Sequence, residues 1–216
     1  LANRTDFTGD VMYDAVLFYR EEAQRRATVI EKLSLRRGRY AVATLHRAEN
    51  TDDPTQLRCL LDTFNDIAAS DLPVIFPVHP RTARQIKGDL SDWNAVTHLH
   101  MIEPVGYLDM LALVDNAAIT LTDSGGLQKE ALFLGCPCVT LREETEWEET
   151  VQCGANILAG SQPSLIKSAV TDFRRRYPDG NADFSAATRD AFGQGNAAER
   201  ICQSLRKFLS RRDGAK

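Results

Sequence analysis

Short apolar segments alternate with longer segments of helical periodicity along most of this 216-residue chain. The apolar runs predict about six buried strands, at residues 40–45, 73–78, 96–102, 117–121, 137–141 and 155–158. Helical spacing of apolar residues predicts helices at residues 11–33, 56–69, 80–87, 108–115, 163–177 and 197–209. Strands that alternate with helices are typical of a parallel sheet flanked by helices, so the predicted fold class is α/β.

The composition excludes several classes of protein. A formal net charge of -4 argues against a general nucleic-acid binder, and no segment approaches the ~18 apolar residues of a membrane span. The first residues are polar and do not form a signal peptide, and an odd number of cysteines favours free, buried thiols in a reducing compartment. We therefore expect a cytoplasmic protein with neither nucleic acid nor membrane as a partner.

A corner of small residues follows the apolar run at residues 117–121. Ser124, Gly125 and Gly126 stand between that predicted strand and a helical pattern, so they would form a helix N-terminus. The free N–H groups and the dipole of such a terminus bind phosphate well, and glycines let a ligand approach the backbone. A plain helix cap at Ser124 is the alternative. The corner favours a protein that binds a nucleotide diphosphate.

Unusual polar loops follow five of the predicted strands, at residues 46–50, 79–81, 103–107, 123–126 and 142–149. The carboxyl ends of parallel strands meet at one edge of the sheet, where α/β proteins bind their ligands. Because all five loops fall on that one rim, the sequence predicts a single binding site there.

Five motifs occur together, at residues 44–50, 76–82, 123–131, 135–147 and 192–200. They read TLHRAEN, FPVHPRT, DSGGLQKEA, GCPCVTLREETEW and FGQGNAAER. With these motifs the chain resembles the non-hydrolysing UDP-N-acetylglucosamine 2-epimerase family, and the resemblance covers essentially the whole chain.

The resemblance implies the two-domain GT-B fold, in which two Rossmann-like halves flank a cleft, and matches this chain to the C-terminal half. Residues 1–35 would be the linker and helix that leave a missing N-terminal domain. Residues 36–195 would be the Rossmann-like UDP-binding domain, and residues 196–216 a helix that crosses back to the N-terminal domain. Because the chain does not begin with methionine, we expect a fragment or a processed product.

The resemblance also implies a reaction. The family inverts C2 of the sugar by eliminating UDP to give a 2-acetamidoglucal and adding UDP back on the other face, without a cofactor or metal ion. The family's paired catalytic carboxylates lie on the missing half, so this chain alone should be inactive. At full length the protein is expected to be a homodimer.

The corner and its helix would hold the nucleotide. Negative charge builds on the departing diphosphate, and the amides at Ser124, Gly125 and Gly126 would stabilise it. Glu130 lies one turn beyond Gly126 and matches the family's glutamate that accepts hydrogen bonds from the ribose hydroxyls. Lys129 should point elsewhere, to the protein surface.

Two histidines follow predicted strands. His46 matches a family histidine that contacts the diphosphate and is needed for activity, so it is the predicted catalytic residue. Arg47 is a candidate for a second phosphate contact or for the family's regulatory substrate site. His79, fixed by the following Pro80, matches a histidine that helps bind a regulatory UDP-sugar in some bacterial relatives. Arg47 and His79 are therefore the predicted allosteric residues.

Two further loops complete the predicted substrate site. Val105 and Tyr107 match the loop whose backbone holds the uracil, and Arg142 and Glu146 match a loop that faces the sugar. The family's common pattern there is Thr-Glu-Arg-Pro-Glu, whereas residues 145–149 here read TEWEE. The tryptophan is similar to that of relatives acting on diacetamido-uronic-acid sugars, so the sugar stays open between these classes.

Three functions stay open at this stage. The first is the UDP-sugar-binding half of a UDP-sugar 2-epimerase, and the second is a non-catalytic module that binds UDP or a UDP-sugar. The third is the C-terminal domain of a glycosyltransferase of the same fold. Such glycosyltransferases generally lack a His-Arg-x-Glu-Asn loop, which this chain has at residues 46–50.

Overall fold

The computed structural model of the protein describes residues 5–180 and 182–213, and within them six strands form one parallel sheet. In chain order the strands are β1 (Ala41–Thr44), β2 (Val74–Pro77), β3 (Leu99–Ile102), β4 (Ile119–Thr122), β5 (Cys138–Thr140) and β6 (Asn156–Leu158). Their order across the sheet is β3-β2-β1-β4-β5-β6. The order reverses between β1 and β4, as it does in Rossmann-like sheets. The predicted α/β fold is therefore confirmed.

Helices cover both faces of this sheet. Those on the described residues are α1 (Val11–Arg26), α2 (Val29–Lys32), α3 (Ala48–Thr51), α4 (Pro54–Ala69), α5 (Pro80–Asp89), α6 (Tyr107–Asn116), α7 (Gly125–Phe133), α8 (Glu148–Gln152), α9 (Pro163–Arg176), α10 (Ser185–Phe192) and α11 (Ala197–Asp213). α4 and α9 pack on one face, and α1, α6 and α7 pack on the other.

The strands bury side chains on both faces. Ala41 and Ala43 of β1 face the core formed with α4 and α9, whereas Val42 faces the core formed with α6 and α7. This is why the strands are continuous apolar runs in the sequence. Phe64 and Phe173 are fully buried in the first core, and burial of one such side chain contributes about 1.5–3 kcal/mol.

The helix predicted over residues 11–33 is wrong in one respect, because it is broken in two. α1 ends at Arg26, and α2 begins at Val29 after two non-helical residues. The Asp109 carboxylate accepts the N–H groups of Thr28 at 2.9 Å and Val29 at 3.1 Å. This side chain from α6 satisfies donors that start a new helix, and the local sequence pattern does not contain it.

Short helices lie where the sequence predicts only loops. α3 and α8 have 4 and 5 residues, which is too short for helical periodicity to be detected. Isolated helices of this length are unstable in water, so packing must hold them. In α8, the Thr150 hydroxyl donates to the Trp147 carbonyl at 2.7 Å and accepts from the Asn156 amide at 3.0 Å.

The end segments of the described chain pack on the sheet domain. α1 contacts α6 and α7, and α11 contacts α1. The Asp14 carboxylate accepts the backbone N–H groups of Ala197 at 2.9 Å and Ala198 at 2.8 Å, so α1 caps α11. The division at residues 1–35, 36–195 and 196–216 stays a prediction, as does the crossing of the last helix. Residues 1–4, 181 and 214–216 of those segments lie outside the described residues.

All five cysteines are free thiols, as the sequence predicts. The sequence also predicts that most of them are buried, but only Cys136 and Cys138 are fully buried. Burial raises the pKa of the Cys136 thiol to about 12, so this thiol is inert at neutral pH.

None of the helices over the described residues combines the length and hydrophobicity of a membrane span. Across the same residues, no cluster of three or more His, Cys, Asp or Glu side chains could hold a metal ion.

We expect Gly38→Ala to destabilise the fold by more than about 1 kcal/mol. Gly38 has a φ of +68°, and a Cβ there would lie 2.3 Å from the Asp179 carbonyl oxygen. Gly88 in α5 is the matched control, because a Cβ there meets nothing within 4 Å. Gly88→Ala should leave stability unchanged or raise it by about 0.5–1 kcal/mol. Urea unfolding measures the stability of both variants. Equal midpoints for Gly38→Ala and wild type would show that residue 38 does not need to be glycine.

Candidate functional site

The predicted helix N-terminus forms at the carboxyl end of β4. Ser124 is the N-cap of α7, and its hydroxyl accepts the N–H of Leu127 at 3.4 Å. A Cβ on Gly125 would lie 3.2 Å from a Glu146 carboxylate oxygen and 3.4 Å from the Trp147 indole nitrogen. Side chains of the loop after β5 thus approach the helix N-terminus closely, and glycine permits this approach.

A cavity of about 280 Å³ opens beside this corner, at the carboxyl ends of β1 to β4. It brings together several of the predicted site residues, among them His46, His79, Val105 and Ser124. The rest of its lining is Thr44, Leu45, Pro77, Pro104, Met110 and Leu127. A larger groove of about 580 Å³ between α4 and α9 shares none of these residues and lies away from the rim.

One fully buried carboxylate organises the loop after β1. Asp123 accepts the backbone N–H groups of His46 at 3.0 Å and Arg47 at 2.9 Å, and the Asn50 amide at 3.3 Å. It also faces the His46 ring, with 2.9 Å between Asp123 Oδ1 and His46 Nδ1. Burial opposes the charge on Asp123, but hydrogen bonds from the His46 ring and from the backbone of Arg47 and His46 hold its pKa below the ordinary value.

The two predicted histidines lie side by side. The ring centroids of His46 and His79 are 5.7 Å apart. His79 is the N-cap of α5, where its Nδ1 accepts the N–H of Arg81 at 3.3 Å. The His79 ring therefore has a structural role at the helix start, and it also lines the cavity.

Opposite charges pair in the loop that follows β5. The buried Arg142 guanidinium donates two hydrogen bonds to Glu146, each of 3.0 Å. Glu146 is 54% exposed, so this carboxylate can rearrange while the arginine stays fixed. The Arg142 hydrogen bonds lower the pKa of Glu146, and the positive charges of Arg142 and Arg47 act in the same direction. Glu146 thus lies among two arginines and the N-terminus of α7.

Glu130 points inward from α7 and is only 8% exposed. Burial raises the pKa of its carboxyl, while a hydrogen bond from Tyr107 and the charge of Lys129 act in the opposite direction. Tyr107 is 43% exposed and starts α6 at the carboxyl end of β3. Its side chain therefore reaches Glu130, whereas the sequence predicts only a backbone role for this loop.

The surface position predicted for Lys129 is wrong. Lys129 is buried, its Nζ lies 2.6 Å from the Asp10 carboxylate, and the same ammonium sits 3.8 Å from the centroid of the Trp147 ring. The cause is the packing of α1 against α7, which covers this side of the helix. An ion pair and a cation–π contact stabilise the buried charge.

Asp123 and Lys129 are the site residues that sequence reasoning missed. Asp123 had a signal, because an aspartate directly follows the apolar run of β4 and precedes the glycine corner. Lys129 had none, because its partner Asp10 lies 119 positions away in the sequence.

Polar side chains thus converge where the strand order reverses, beside a helix N-terminus that attracts anions. This defines a Rossmann-like α/β domain with a candidate ligand site at its rim. A family model described as UDP-N-acetylglucosamine 2-epimerase matches residues 2–206. The chain belongs to the UDP-N-acetylglucosamine 2-epimerase family.

Individual relatives agree with this assignment. The chain is 41% identical over 201 residues to the UDP-2,3-diacetamido-2,3-dideoxy-D-glucuronate 2-epimerase of Pseudomonas aeruginosa, covering 93% of this chain and 52% of the relative. It is 40% identical over 203 residues to a UDP-N-acetylglucosamine 2-epimerase homolog of Methanococcus maripaludis, covering 93% and 54%.

A solved structure is similar as well. The UDP-GlcNAc 2-epimerase of Methanocaldococcus jannaschii, in complex with UDP-GlcNAc and UDP, matches with a TM-score of 0.78 and 35% identity. The match covers 95% of this chain and 55% of that one. The expected fold, a Rossmann-like half of the GT-B architecture, is confirmed by this similarity. The chain spans about half the length of the relatives it matches.

We expect Asp123→Asn to be less stable than wild type at neutral pH, by an amount that shrinks in acid. In the unfolded chain an aspartate has a pKa of about 3.9, and in the folded chain the pKa of Asp123 is lower. A depressed folded pKa stabilises the protein above the unfolded pKa, and this contribution is lost as the pH falls below about 4. Urea unfolding at several pH values measures the difference. A difference that persists unchanged down to about pH 2 would contradict an ionised Asp123.

Proposed function

We propose that this chain binds the UDP part of a nucleotide sugar at its rim and is the UDP-sugar-binding half of a UDP-sugar 2-epimerase. The observation that carries the proposal is the corner after β4, where the N-terminus of α7 adjoins the cavity lined by His46 and Ser124, and the buried Glu130 follows on the same helix. Family membership supports the same conclusion.

The diphosphate would bind at the start of α7. Gly125 and Gly126 supply backbone N–H groups there, and the helix dipole adds a partial positive charge. The backbone N–H of Ser124, which was also predicted to bind the diphosphate, instead donates to the Thr122 hydroxyl at 2.9 Å, so Ser124 would contribute through its side chain. His46 lines the neighbouring cavity, and Arg47 carries a positive charge close to Glu146. The amides of Gly125 and Gly126 and the side chains of His46 and Arg47 would thus be the donors to the diphosphate, and the proposed binding requires neither a metal ion nor a cofactor.

The nucleoside would bind toward α6. The Tyr107 side chain faces Glu130 and favours its charged form, and the two hydroxyls of a ribose could take over this role. Val105 lines the cavity next to Ser124, so the backbone of its loop is within reach of a uracil ring. The sugar would then extend toward the loop that carries Arg142 and Glu146.

The reaction proposed is inversion at C2 by elimination and re-addition of UDP. As the anomeric C–O bond breaks, negative charge collects on the diphosphate, and the donors at the start of α7 stabilise it more than they stabilise the bound substrate. The proton at C2 would be removed and returned by carboxylates of a second half-domain. This chain would therefore act together with an N-terminal half in the same polypeptide, in a protein that we expect to be a homodimer.

Two sugars are candidates. Membership of the family favours UDP-N-acetylglucosamine. The alternative is a UDP-diacetamido-uronic acid, which is supported by the Pseudomonas aeruginosa relative and by Trp147 in place of the family's arginine. Competition for the site between the two sugar nucleotides distinguishes these candidates. A module that binds without catalysis is the alternative function. A half-domain with carboxylates encoded upstream in the same reading frame would argue against it.

The allosteric role predicted for Arg47 and His79 also stays a proposal. Both lie on the loops after β1 and β2, next to His46. His79 Nδ1 accepts the backbone N–H of Arg81 and so caps α5. A regulatory ligand would therefore have to bind the other ring nitrogen, Nε2.

The 216-residue chain should bind UDP, and Glu130→Ala should weaken binding by roughly 1–3 kcal/mol, because two ribose hydroxyls lose their acceptor. Calorimetry measures the affinity of both proteins. Glu31→Ala, which removes an exposed glutamate from α2, is the matched control and should bind like wild type. Equal UDP affinity in Glu130→Ala and wild type would remove the ribose assignment.

The isolated chain should not epimerise a UDP-sugar, because the proposed acid and base lie on another domain. The measurement is proton exchange at C2 of UDP-N-acetylglucosamine in deuterated water, followed by NMR. Since binding of UDP is measured separately, a chain that binds but does not exchange supports the division of labour. Exchange at C2 by the isolated chain would show that its own residues suffice.

A further inference from the structure

We propose that Asp123 is a positioning residue that decides which nitrogen of His46 faces the ligand. The inference concerns the same site as the proposed function and rests on it for the identity of the ligand. The geometry that carries it is the 2.9 Å between Asp123 Oδ1 and His46 Nδ1. Asp123 would act through the imidazole and would not touch the diphosphate itself.

The protonation of this pair follows from the hydrogen bonds. Asp123 is fully buried and accepts two backbone N–H groups besides the Asn50 amide, all of which are donors that cannot reverse. A carboxylate in this setting is ionised and can only accept. His46 Nδ1 must therefore carry the proton that joins the two side chains, and Nε2 is the nitrogen left for the ligand.

The neighbouring histidine does not compete for this arrangement. His79 Nδ1 accepts the N–H of Arg81, so that nitrogen carries no proton. The two rings are tilted by 44° with centroids 5.7 Å apart, and Asp123 is the carboxylate that contacts His46. Donation from Nε2 to a phosphate oxygen requires a proton on both ring nitrogens, and Asp123 accepts the Nδ1 proton whether or not the second proton is present.

A purely structural role for Asp123 is the competing explanation. The same carboxylate holds the backbone of residues 46–47 and the Asn50 side chain, so its loss could weaken binding by disordering the loop. The two explanations differ in what happens once the imidazole has been removed. If Asp123 acts through His46, its substitution has little further effect in a chain without that ring.

The first experiment measures the tautomer directly. Nitrogen-15 NMR of the His46 ring, at a pH well above the ordinary imidazole pKa of about 6.5, shows which nitrogen is protonated in the neutral ring. The wild-type chain should have the proton on Nδ1, and Asp123→Asn should shift the population toward Nε2. A wild-type ring protonated on Nε2 would overturn the inference. This result needs no ligand, so it decides the inference even if Asp123→Asn fails to fold.

The second experiment is a double-mutant cycle on UDP affinity, with Asp123→Asn, His46→Ala and the double variant. Asp123→Asn should lose roughly tenfold in affinity, as expected for a charge-assisted hydrogen bond, and the double variant should bind like His46→Ala alone. Independent losses that multiply would overturn the positioning role and leave Asp123 as a support of the loop.

Asp115→Asn is the matched control for this cycle. Asp115 is also a buried aspartate in an ion pair, with 2.7 Å to Arg20, but it precedes β4 and so lies at the opposite edge of the sheet. This variant should keep wild-type UDP affinity, and a loss equal to that of Asp123→Asn would overturn the inference. A wild-type chain that does not bind UDP would defeat the proposed function, and the tautomer measurement would still stand.

Discussion

The site depends on one buried carboxylate that joins two neighbouring strands beyond their carboxyl ends. β1 and β4 are adjacent in the sheet, although 74 residues lie between the end of β1 at Thr44 and the start of β4 at Ile119. Asp123, directly after β4, accepts donors from the loop after β1. An uncompensated charge at such a depth would be costly, so the loop that supplies the donors is fixed in place. The strand order thus produces a rigid pair of loops where a ligand would enter.

Two positive side chains near the N-terminus of α7 are paired with carboxylates of the same chain. Arg142 pairs with Glu146, and Lys129 pairs with Asp10. The two pairs differ in exposure, because Glu146 is 54% exposed whereas Lys129 and Asp10 are at most 20% exposed. If a diphosphate binds as proposed, the helix N-terminus and the arginines that attract Glu146 would also attract the diphosphate. The exposed carboxylate is the one that can move, so ligand binding need not disturb the buried pair.

The sequence pattern predicted those features of the fold that depend on neighbouring residues in the chain. The apolar strands, the Ser124 cap and the rim that collects the polar loops all follow from short stretches of sequence, since parallel topology forces strand ends together. What the sequence could not predict depends on distant partners. α1 and α2 separate because Asp109 caps the second helix, and Lys129 is buried because Asp10 and Trp147 reach it from other parts of the chain. Asp123 lies between these cases, because its position was visible and its partners were not.

The loop after β5, which is proposed to face the sugar, is connected by side-chain contacts to the N-terminus of α7. Trp147 packs on the Lys129 ammonium, and its indole nitrogen lies close to Gly125 at the start of α7. Lys129 in turn pairs with Asp10, which caps α1 through the N–H of Met12. A change at Trp147 would therefore alter the support of a buried cation as well as the surface offered to a sugar. Under the proposed function, a substitution at Trp147 would therefore act on the sugar through the support of α7 as well as through direct contact.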